Sequence, residues 1–176
     1  MAQRVEIPDV TLDDYEQHAT LAPAVHQLRA EARQIAPLLE GRTVWMVNST
    51  VQGGGVAEML PTMVALLRDL GVSTEWVVIE SDEAEFFALT KRLHNLIHGM
   101  GDPDLVPACR EVFEAVNEEN ARAINGWMDP GDILAVHDPQ PMPLASLLCK
   151  EKKLHCLWRC HIGIDEANPQ TRAAWK

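Results

Sequence analysis

The sequence predicts an α/β fold in which a parallel sheet is flanked by helices, and three observations support this. Short apolar runs typical of buried strands alternate with longer segments whose apolar residues have helical spacing. Glycine and proline residues separate these segments. Strands that alternate with helices favour a parallel sheet connected by right-handed crossovers. Because the sequence shows four such apolar runs, we expect a sheet of about four strands.

The elements are expected in a regular order along the chain. Residues 1–40 are interpreted as an N-terminal arm and a helix. The arm, residues 1–22, is polar and acidic and contains at most a short helix. The helix follows at about 24–39 and is ended by Gly41. Residues 41–176 are interpreted as the sheet domain. Within it the pattern predicts strands at about 43–47, 74–79, 133–136 and 154–158, and helices at about 56–70, 83–96, 105–124 and 143–150.

Apolar spacing also predicts which helix faces are buried. The helix at 24–39 is expected to place Val25, Leu28, Ala32, Ile35 and Leu39 on one face. The helix at 83–96 is expected to contribute Phe86, Phe87, Leu89, Leu93 and Leu96 to the core. Pro61 falls past the first turn of its helix, where it should kink that helix or mark a later start.

Length, charge and the absence of long apolar runs limit the class of protein. The 176 residues are enough for one domain with a buried core. Lys and Arg number 15 against 26 Asp and Glu, and a formal net charge of −11 argues against nonspecific binding to nucleic acid or to an anionic membrane. No apolar run is long enough to span a membrane, and the N-terminus lacks the apolar segment of a signal peptide. The expected location is therefore the cytoplasm.

Three glycines stand between the first strand and its helix. Gly53, Gly54 and Gly55 can adopt positive φ and leave room for a ligand to approach the backbone. The following helix N-terminus offers unpaired N–H groups and partial positive charge, which suit a phosphate or the polar edge of a substrate. The turn has neither the GxGxxG spacing of a dinucleotide site nor the GK[ST] of a P-loop. A tight turn without a ligand remains the alternative.

Polar residues also follow the third and fourth strands. His137 and Asp138 come after the third strand, and His161 comes after the fourth. Ligands of open α/β sheets bind outside the carboxyl ends of the strands, so these residues are expected at one site with the glycine turn. Asp138 could accept hydrogen bonds from sugar hydroxyls, and His161 could donate one to a hydroxyl or to a developing charge. The alternatives are a structural turn for His137-Asp138 and a capping or core histidine for His161. For Glu58 a first-turn glutamate favoured by the helix dipole is the preferred interpretation.

The four cysteines are Cys109, Cys149, Cys156 and Cys160, and none forms a CxxC pair. We expect reduced thiols that pack in the core. A zinc site formed by His155, Cys156, Cys160 and His161 is the less favoured alternative, because Cys156 and Cys160 lie in or beside an apolar strand. No metal is therefore expected.

Four segments in order are similar to one enzyme family. They are NSTVQGGGVAEML at 48–60, FFALTKRLHNLIHG at 86–99, VHDPQPMPL at 136–144 and LWRCHIGID at 157–165. These segments resemble the N-terminal lobe of the trehalose glycosyltransferring synthases, which are retaining GT-B glycosyltransferases with a Rossmann-like lobe. Those enzymes use a nucleotide-glucose donor and glucose as acceptor. Fungal-type retaining trehalose phosphorylases share related glycine and WRxHI motifs and are the near alternative.

The resemblance implies roles for the residues that match these motifs. It implies that Gly53, Gly54 and Gly55 approach the donor phosphate and the acceptor, and that Asp138, after His137, binds the acceptor sugar. It implies that His161 lies near the donor glucose at the reaction centre. The family pattern after this histidine is Ile-Asp, whereas here it is Ile162-Gly163-Ile164-Asp165, so Asp165 is not assigned a role.

The resemblance covers only the acceptor-side lobe. The family's second lobe carries basic residues for the donor diphosphate and a carboxylate for the ribose, and this chain has no segment that matches it. The resemblance thus implies an incomplete lobe that is inactive alone, with sugar and nucleotide-sugar as substrates and no cofactor besides the nucleotide-glucose. It implies a homo-oligomer or a separate C-terminal lobe as partner. A non-catalytic sugar-binding or interaction module is the alternative of a different class.

Overall fold

A computed structural model describes residues 2–105 and 107–175 and confirms the α/β fold. Its sheet has five strands: β1 (Gln3–Arg4), β2 (Val44–Asn48), β3 (Thr74–Val78), β4 (Ile133–His137) and β5 (His155–Arg159). The strand order is β1-β3-β2-β4-β5. The four predicted strands are all present and mutually parallel, whereas β1 pairs antiparallel with β3 and was not predicted. Two polar residues carry no apolar alternation, which is why β1 leaves no signal in the sequence.

The predicted helices are present, with further short ones near the ends of the chain. They are α1 (Leu12–Glu16), α2 (Ala22–Ile35), α3 (Gly55–Asp69), α4 (Ala84–Ile97), α5 (Pro107–Ile124), α6 (Pro143–Lys152) and α7 (Pro169–Ala174). Two 3-10 helices, Ala36–Leu39 and Asn125–Trp127, extend α2 and α5. Helix α3 begins at Gly55 and continues through Pro61, so the alternative of a later start is wrong.

Helices cover both faces of the sheet because strand residues alternate between two cores. On one face Trp45 and Val47 of β2 pack with residues of α5 and α6. On the other face Val44 and Met46 pack with residues of α3. All five residues of β2 are buried, as expected for the central strand of a parallel sheet that is covered on both sides.

One predicted core residue, Phe87, is exposed, and the apolar face of α2 is also partly exposed. Leu28 and Ile35 of α2 are 40% and 54% exposed, because α2 packs against α1 and the adjoining 3-10 helix instead of the sheet. Phe87 of α4 is 44% exposed, although Phe86 beside it is fully buried. Helical spacing identifies a face that can be buried. The elements that pack against the helix determine what fraction of that face is buried.

Helix α4 lies across the carboxyl edge of the sheet. It begins after β3, packs against α5 and α7, and its end is tied to the segment beyond β5 by a hydrogen bond from Asn168 Nδ2 to the Gly99 carbonyl (3.0 Å). His94 of α4 is close enough to Asp138, the residue after β4, for the two side chains to interact electrostatically. This helix therefore forms one wall beside the predicted site.

The expectation of four reduced thiols is wrong for two of the cysteines. Cys149 in the last turn of α6 and Cys156 in β5 form a disulfide, with their Cα atoms 6.4 Å apart. The pairing results from the tight turn between these elements, in which Lys153 adopts a left-handed φ of 58° and donates its N–H to the Cys149 carbonyl. Cys109 and Cys160 remain free thiols. No helix in the described part of the chain is long and apolar enough to cross a membrane.

Candidate functional site

The predicted site residues lie at one edge of the sheet. Strands β2, β4 and β5 are parallel neighbours, and the glycine turn, His137-Asp138 and His161 follow their carboxyl ends in that order. The structure thus brings together the three segments that the sequence analysis placed at a common edge. Their detailed contacts differ from one segment to the next.

A buried asparagine holds the start of the glycine turn. Asn48, the last residue of β2, is 3% exposed and accepts a hydrogen bond from the Trp76 indole N–H at 2.7 Å. Its own Nδ2 donates to the Thr50 carbonyl at 2.7 Å. No role is predicted for Asn48 from the sequence, although a polar residue at the end of an apolar strand run is a signal that could have indicated one.

The three glycines serve different purposes. Gly53 and Gly54 have φ values of 76° and 106°, which side-chain-bearing residues rarely adopt, whereas Gly55 begins α3 without a positive φ. A Cβ added at any of the three would meet no atom within 4 Å, so protein packing does not require glycine there. The backbone conformation therefore requires two of the glycines, and the space beside all three is open to a ligand. Glu58 is exposed in the first turn of α3, as a residue favoured by the helix dipole would be.

Asp138 is anchored to the segment that runs through β5. Its N–H donates to the Arg159 carbonyl (2.9 Å), its carbonyl accepts from the Trp158 indole (3.0 Å), and its Oδ1 accepts from the His161 N–H (2.8 Å). The residue has a φ of 65°, a left-handed conformation that aspartate tolerates better than most residues. The second carboxylate oxygen has no hydrogen-bond partner among the described residues, so it can accept from a ligand.

His137 and His161 form a stacked pair. His137 Nδ1 lies 2.9 Å from His161 Nε2, and the two ring planes are inclined by 15°. His137 is 2% exposed, and burial, with smaller contributions from the nearby His161 and Arg159, lowers its pKa to about 4 although Asp138 acts in the opposite direction. His137 is therefore neutral at physiological pH.

The contact of His137 with a sulfur atom fixes the direction of the histidine hydrogen bond. His137 Nε2 lies 3.4 Å from Met46 Sδ, and a thioether can only accept a hydrogen bond. We therefore assign the His137 proton to Nε2, which makes Nδ1 the acceptor and His161 Nε2 the donor. His161 is half-buried, and its Nδ1 has no hydrogen-bond partner among the residues that the structure describes, so it can bind a ligand. His137 is 2% exposed and contacts His161, so it can support that ring, and its predicted role in substrate binding stays a prediction.

Helix α4 contributes a further polar residue that the sequence analysis did not single out. His94 is half-buried, and its ring centroid lies 4.7 Å from that of His98. Burial, His98 and Lys91 lower the pKa of His94, and Asp138 acts in the opposite direction. The two histidines four residues apart in the segment 86–99, on one face of a helix, were the available signal.

The described residues give no support to the zinc alternative. Among residues 2–105 and 107–175, no group of three or more His, Cys, Asp or Glu side chains could hold a metal ion. Cys156 is paired with Cys149, and His161 faces His137, so the four proposed ligands do not converge. Asp165 is exposed beyond His161.

A cavity of about 470 Å³ lies beside His161, between the end of α4 and α7. It is lined mainly by apolar residues, among them Ile97, Ile162, Ile164 and Trp175. A larger concavity of about 660 Å³ lies near Gly71, before β3, at the amino edge of the sheet. None of the predicted site residues lines that concavity, so the carboxyl edge is the candidate site.

Comparisons with known proteins identify relatives of the chain. The family model described as "Trehalose synthase, N-terminal domain" matches residues 46–176. The chain is 41% identical over 139 residues to trehalose synthase from Pyrococcus horikoshii, covering 79% of this chain and 32% of that protein. It is 36% identical over 176 residues to trehalose synthase from Rubrobacter xylanophilus, covering 97% of this chain and 39% of that protein. It is also 32% identical over 136 residues to trehalose phosphorylase from Pleurotus sajor-caju, covering 73% of this chain and 18% of that protein.

Proposed function

The chain belongs to the trehalose synthase N-terminal domain family, and from that premise we propose that it is the acceptor-side lobe of a retaining glycosyltransferase. The proposed reaction transfers glucose from a nucleotide-glucose to glucose and forms trehalose. The chain spans 32% to 39% of the length of the trehalose synthases to which it was compared, so the activity of a whole enzyme is part of the proposal.

One observation carries the proposal: Asp138 and His161 lie side by side at the carboxyl edge, and each keeps an unused polar atom. The free oxygen of Asp138 would accept hydrogen bonds from hydroxyls of the acceptor glucose. His161 Nδ1 would face the sugar near the bond that changes, accepting a hydrogen bond when neutral and donating one when protonated. His137 would hold the His161 ring in place through its buried Nδ1.

The glycine turn would act on the donor. Its open backbone leaves space for a phosphate, and the N-terminus of α3 directs partial positive charge towards it. Charge that develops on the leaving group would be stabilised electrostatically while the acceptor attacks from the same face. The nucleotide-glucose is then the only co-substrate, and no metal or other cofactor takes part.

The donor needs groups that this chain does not supply. Basic residues of a second lobe, in the same protein or in a separate chain, would bind the diphosphate. We therefore expect no measurable trehalose when the isolated 176-residue chain is mixed with nucleotide-glucose and glucose. Trehalose formed by the highly purified chain would contradict this division of roles.

The site residues are tested in the protein that combines this chain with a second lobe. His161→Ala and Asp138→Asn should each remove a hydrogen bond involving a charged or polar group, which lowers kcat/KM about 10- to 150-fold. His161→Ala should mainly lower kcat, and Asp138→Asn should mainly raise KM for glucose. Asparagine is chosen because it tolerates the positive φ of Asp138.

His155→Ala, on the exposed strand β5, is the matched control and should keep the unaltered rate. A normal transfer rate in His161→Ala, at a Tm equal to that of the unaltered protein, would show that His161 has only a structural role.

The phosphorylase alternative is supported by the similarity to trehalose phosphorylase, and it predicts that phosphate and trehalose react without any nucleotide. Sugar binding without either reaction would favour the non-catalytic module.

A further inference from the structure

The disulfide joins the last turn of α6 to the edge strand β5. Cys149 and Cys156 are seven residues apart in sequence, and their Cα separation of 6.4 Å is within the usual range for a disulfide. Cys156 is exposed and Cys149 is half-buried, so dissolved thiols and disulfides can reach the pair. This accessibility distinguishes the pair from a bridge sealed in a core.

Strand β5 lies at the edge of the sheet. It pairs with β4 alone among the described strands, and all five of its residues are exposed. Its core anchor is the residue before it, Leu154, which is buried. The disulfide is therefore a substantial part of what holds the start of this strand against α6.

The far end of β5 supports the candidate site. Arg159 accepts the hydrogen bond from the Asp138 N–H, and the chain then leads to His161, whose N–H binds the Asp138 carboxylate. A change in how firmly β5 is held would reach His161 through these backbone contacts. Only the four residues 157–160 separate Cys156 from His161.

We propose that Cys149 and Cys156 are a reversible oxidation site that controls how firmly β5, and with it His161, is held. A small-molecule disulfide such as oxidised glutathione would react with the Cys156 thiolate, giving a mixed disulfide and one glutathione thiol. The Cys149 thiolate would then attack the Cys156 sulfur and release the second glutathione thiol. Two electrons and two protons pass from the cysteines to the two glutathiones, and excess reduced glutathione reverses the step.

The test uses the 176-residue chain equilibrated in glutathione buffers from fully reduced to fully oxidised. Alkylation followed by mass measurement should count four reactive thiols in the reduced chain and two in the oxidised chain. The oxidised chain should melt about 4–10 °C higher, because a closed loop of this length restricts the unfolded state. Cys149→Ser and Cys156→Ser should abolish the Tm difference, and Cys160→Ser, which removes a free thiol near the same strand, should keep it.

A second readout separates a switch from a purely structural bridge. Imidazole NMR signals of His161 should differ between the oxidised and reduced chains, whereas those of His26 on α2 should stay unchanged. Four reactive thiols in every buffer would overturn the proposal. It would also be overturned if Cys149→Ser kept the redox-dependent Tm, or if the His161 signals moved no more than those of His26.

Discussion

At the scale of single residues, burial gives the two site histidines different properties. His137 is sealed between Met46 and His161, so it stays neutral and accepts a hydrogen bond, while His161 keeps a nitrogen for a ligand. The buried His137 thus orients the more accessible His161. The chemical consequence is that His161 is the histidine of the pair that can contact a ligand.

The lowered pKa of His137 makes stability depend on pH. The unfolded histidine binds a proton below about pH 6.5 and the folded one only below about 4, so the unfolded state gains protons first as the pH falls. Stability should be full above pH 6.5 and fall by up to about 3 kcal/mol as the pH approaches 4. Urea unfolding at several pH values measures this. His137→Asn should flatten the dependence in that window, and His155→Asn, on exposed β5, should leave it unchanged.

Neighbouring glycines in the turn should respond differently to the same substitution. Gly54→Ala forces a side chain to adopt a φ of 106° and should cost about 1–3 kcal/mol, whereas Gly55→Ala places alanine at the start of a helix and should be neutral or slightly stabilising. Chemical denaturation of both variants provides the comparison. Equal losses at the two positions would show that space, and not the backbone conformation, selects glycine here.

At the scale of elements, α5 fastens the loop that follows β3. Asn120 is fully buried, accepts from the Glu80 N–H at 3.0 Å, and donates Nδ2 to the Glu80 carbonyl at 2.8 Å. One turn earlier, Asn117 donates to the Gln140 carbonyl at 3.1 Å, in the loop after Asp138. The helix thus holds two of the loops at the carboxyl edge through buried amides.

Asn120→Ala should therefore cost about 2–4 kcal/mol, because it leaves buried backbone groups without their partners. Asn125→Ala is the control, since the Asn125 amide donates to Glu151 in an exposed hydrogen bond, and it should cost less than about 1 kcal/mol. Thermal and urea unfolding of the two variants measure the difference. If Asn120→Ala proved no more damaging than Asn125→Ala, the loop would be held by other contacts.

At the scale of the whole molecule, the β5 side presents an apolar surface. Leu157, Trp158, Ile164 and Trp175 are 48%, 40%, 41% and 49% exposed, and the two tryptophan rings contact each other edge to face. An edge strand with exposed apolar residues favours association with another chain or lobe. This surface is the proposed contact for a second copy or for the second lobe.

Association of the isolated chain should depend on this surface. The chain should sediment as dimers or larger species, and Leu157→Lys should shift it towards the monomer by placing a charge on the exposed strand. Leu38→Lys changes a residue that is 73% exposed on the 3-10 helix after α2, and it should leave the distribution unaltered. A clean monomer for the unmodified chain would show that β5 needs no partner.

The sequence by itself determined the order of the main strands and helices and the location of the candidate site. Apolar spacing is a local property, so the four runs that include β2 and β4 could be identified without any knowledge of their neighbours. Because those strands are parallel, their carboxyl ends must share one edge of the sheet. Gly54, Asp138 and His161 come after strand ends in the sequence, so they must lie at that edge. The two-residue strand β1 had no such local pattern.

Only the tertiary structure decided how deeply each residue is buried and which residues are paired. The spacing in α2 could not reveal that Ile35 faces solvent, because that depends on what packs against the helix. The pairing of Cys149 with Cys156 depends on the left-handed turn at Lys153, and the burial of His137 depends on Met46 and His161 beside it. Local periodicity limits which side of an element can be covered, whereas burial, pKa and pairing arise from contacts between elements far apart in the chain.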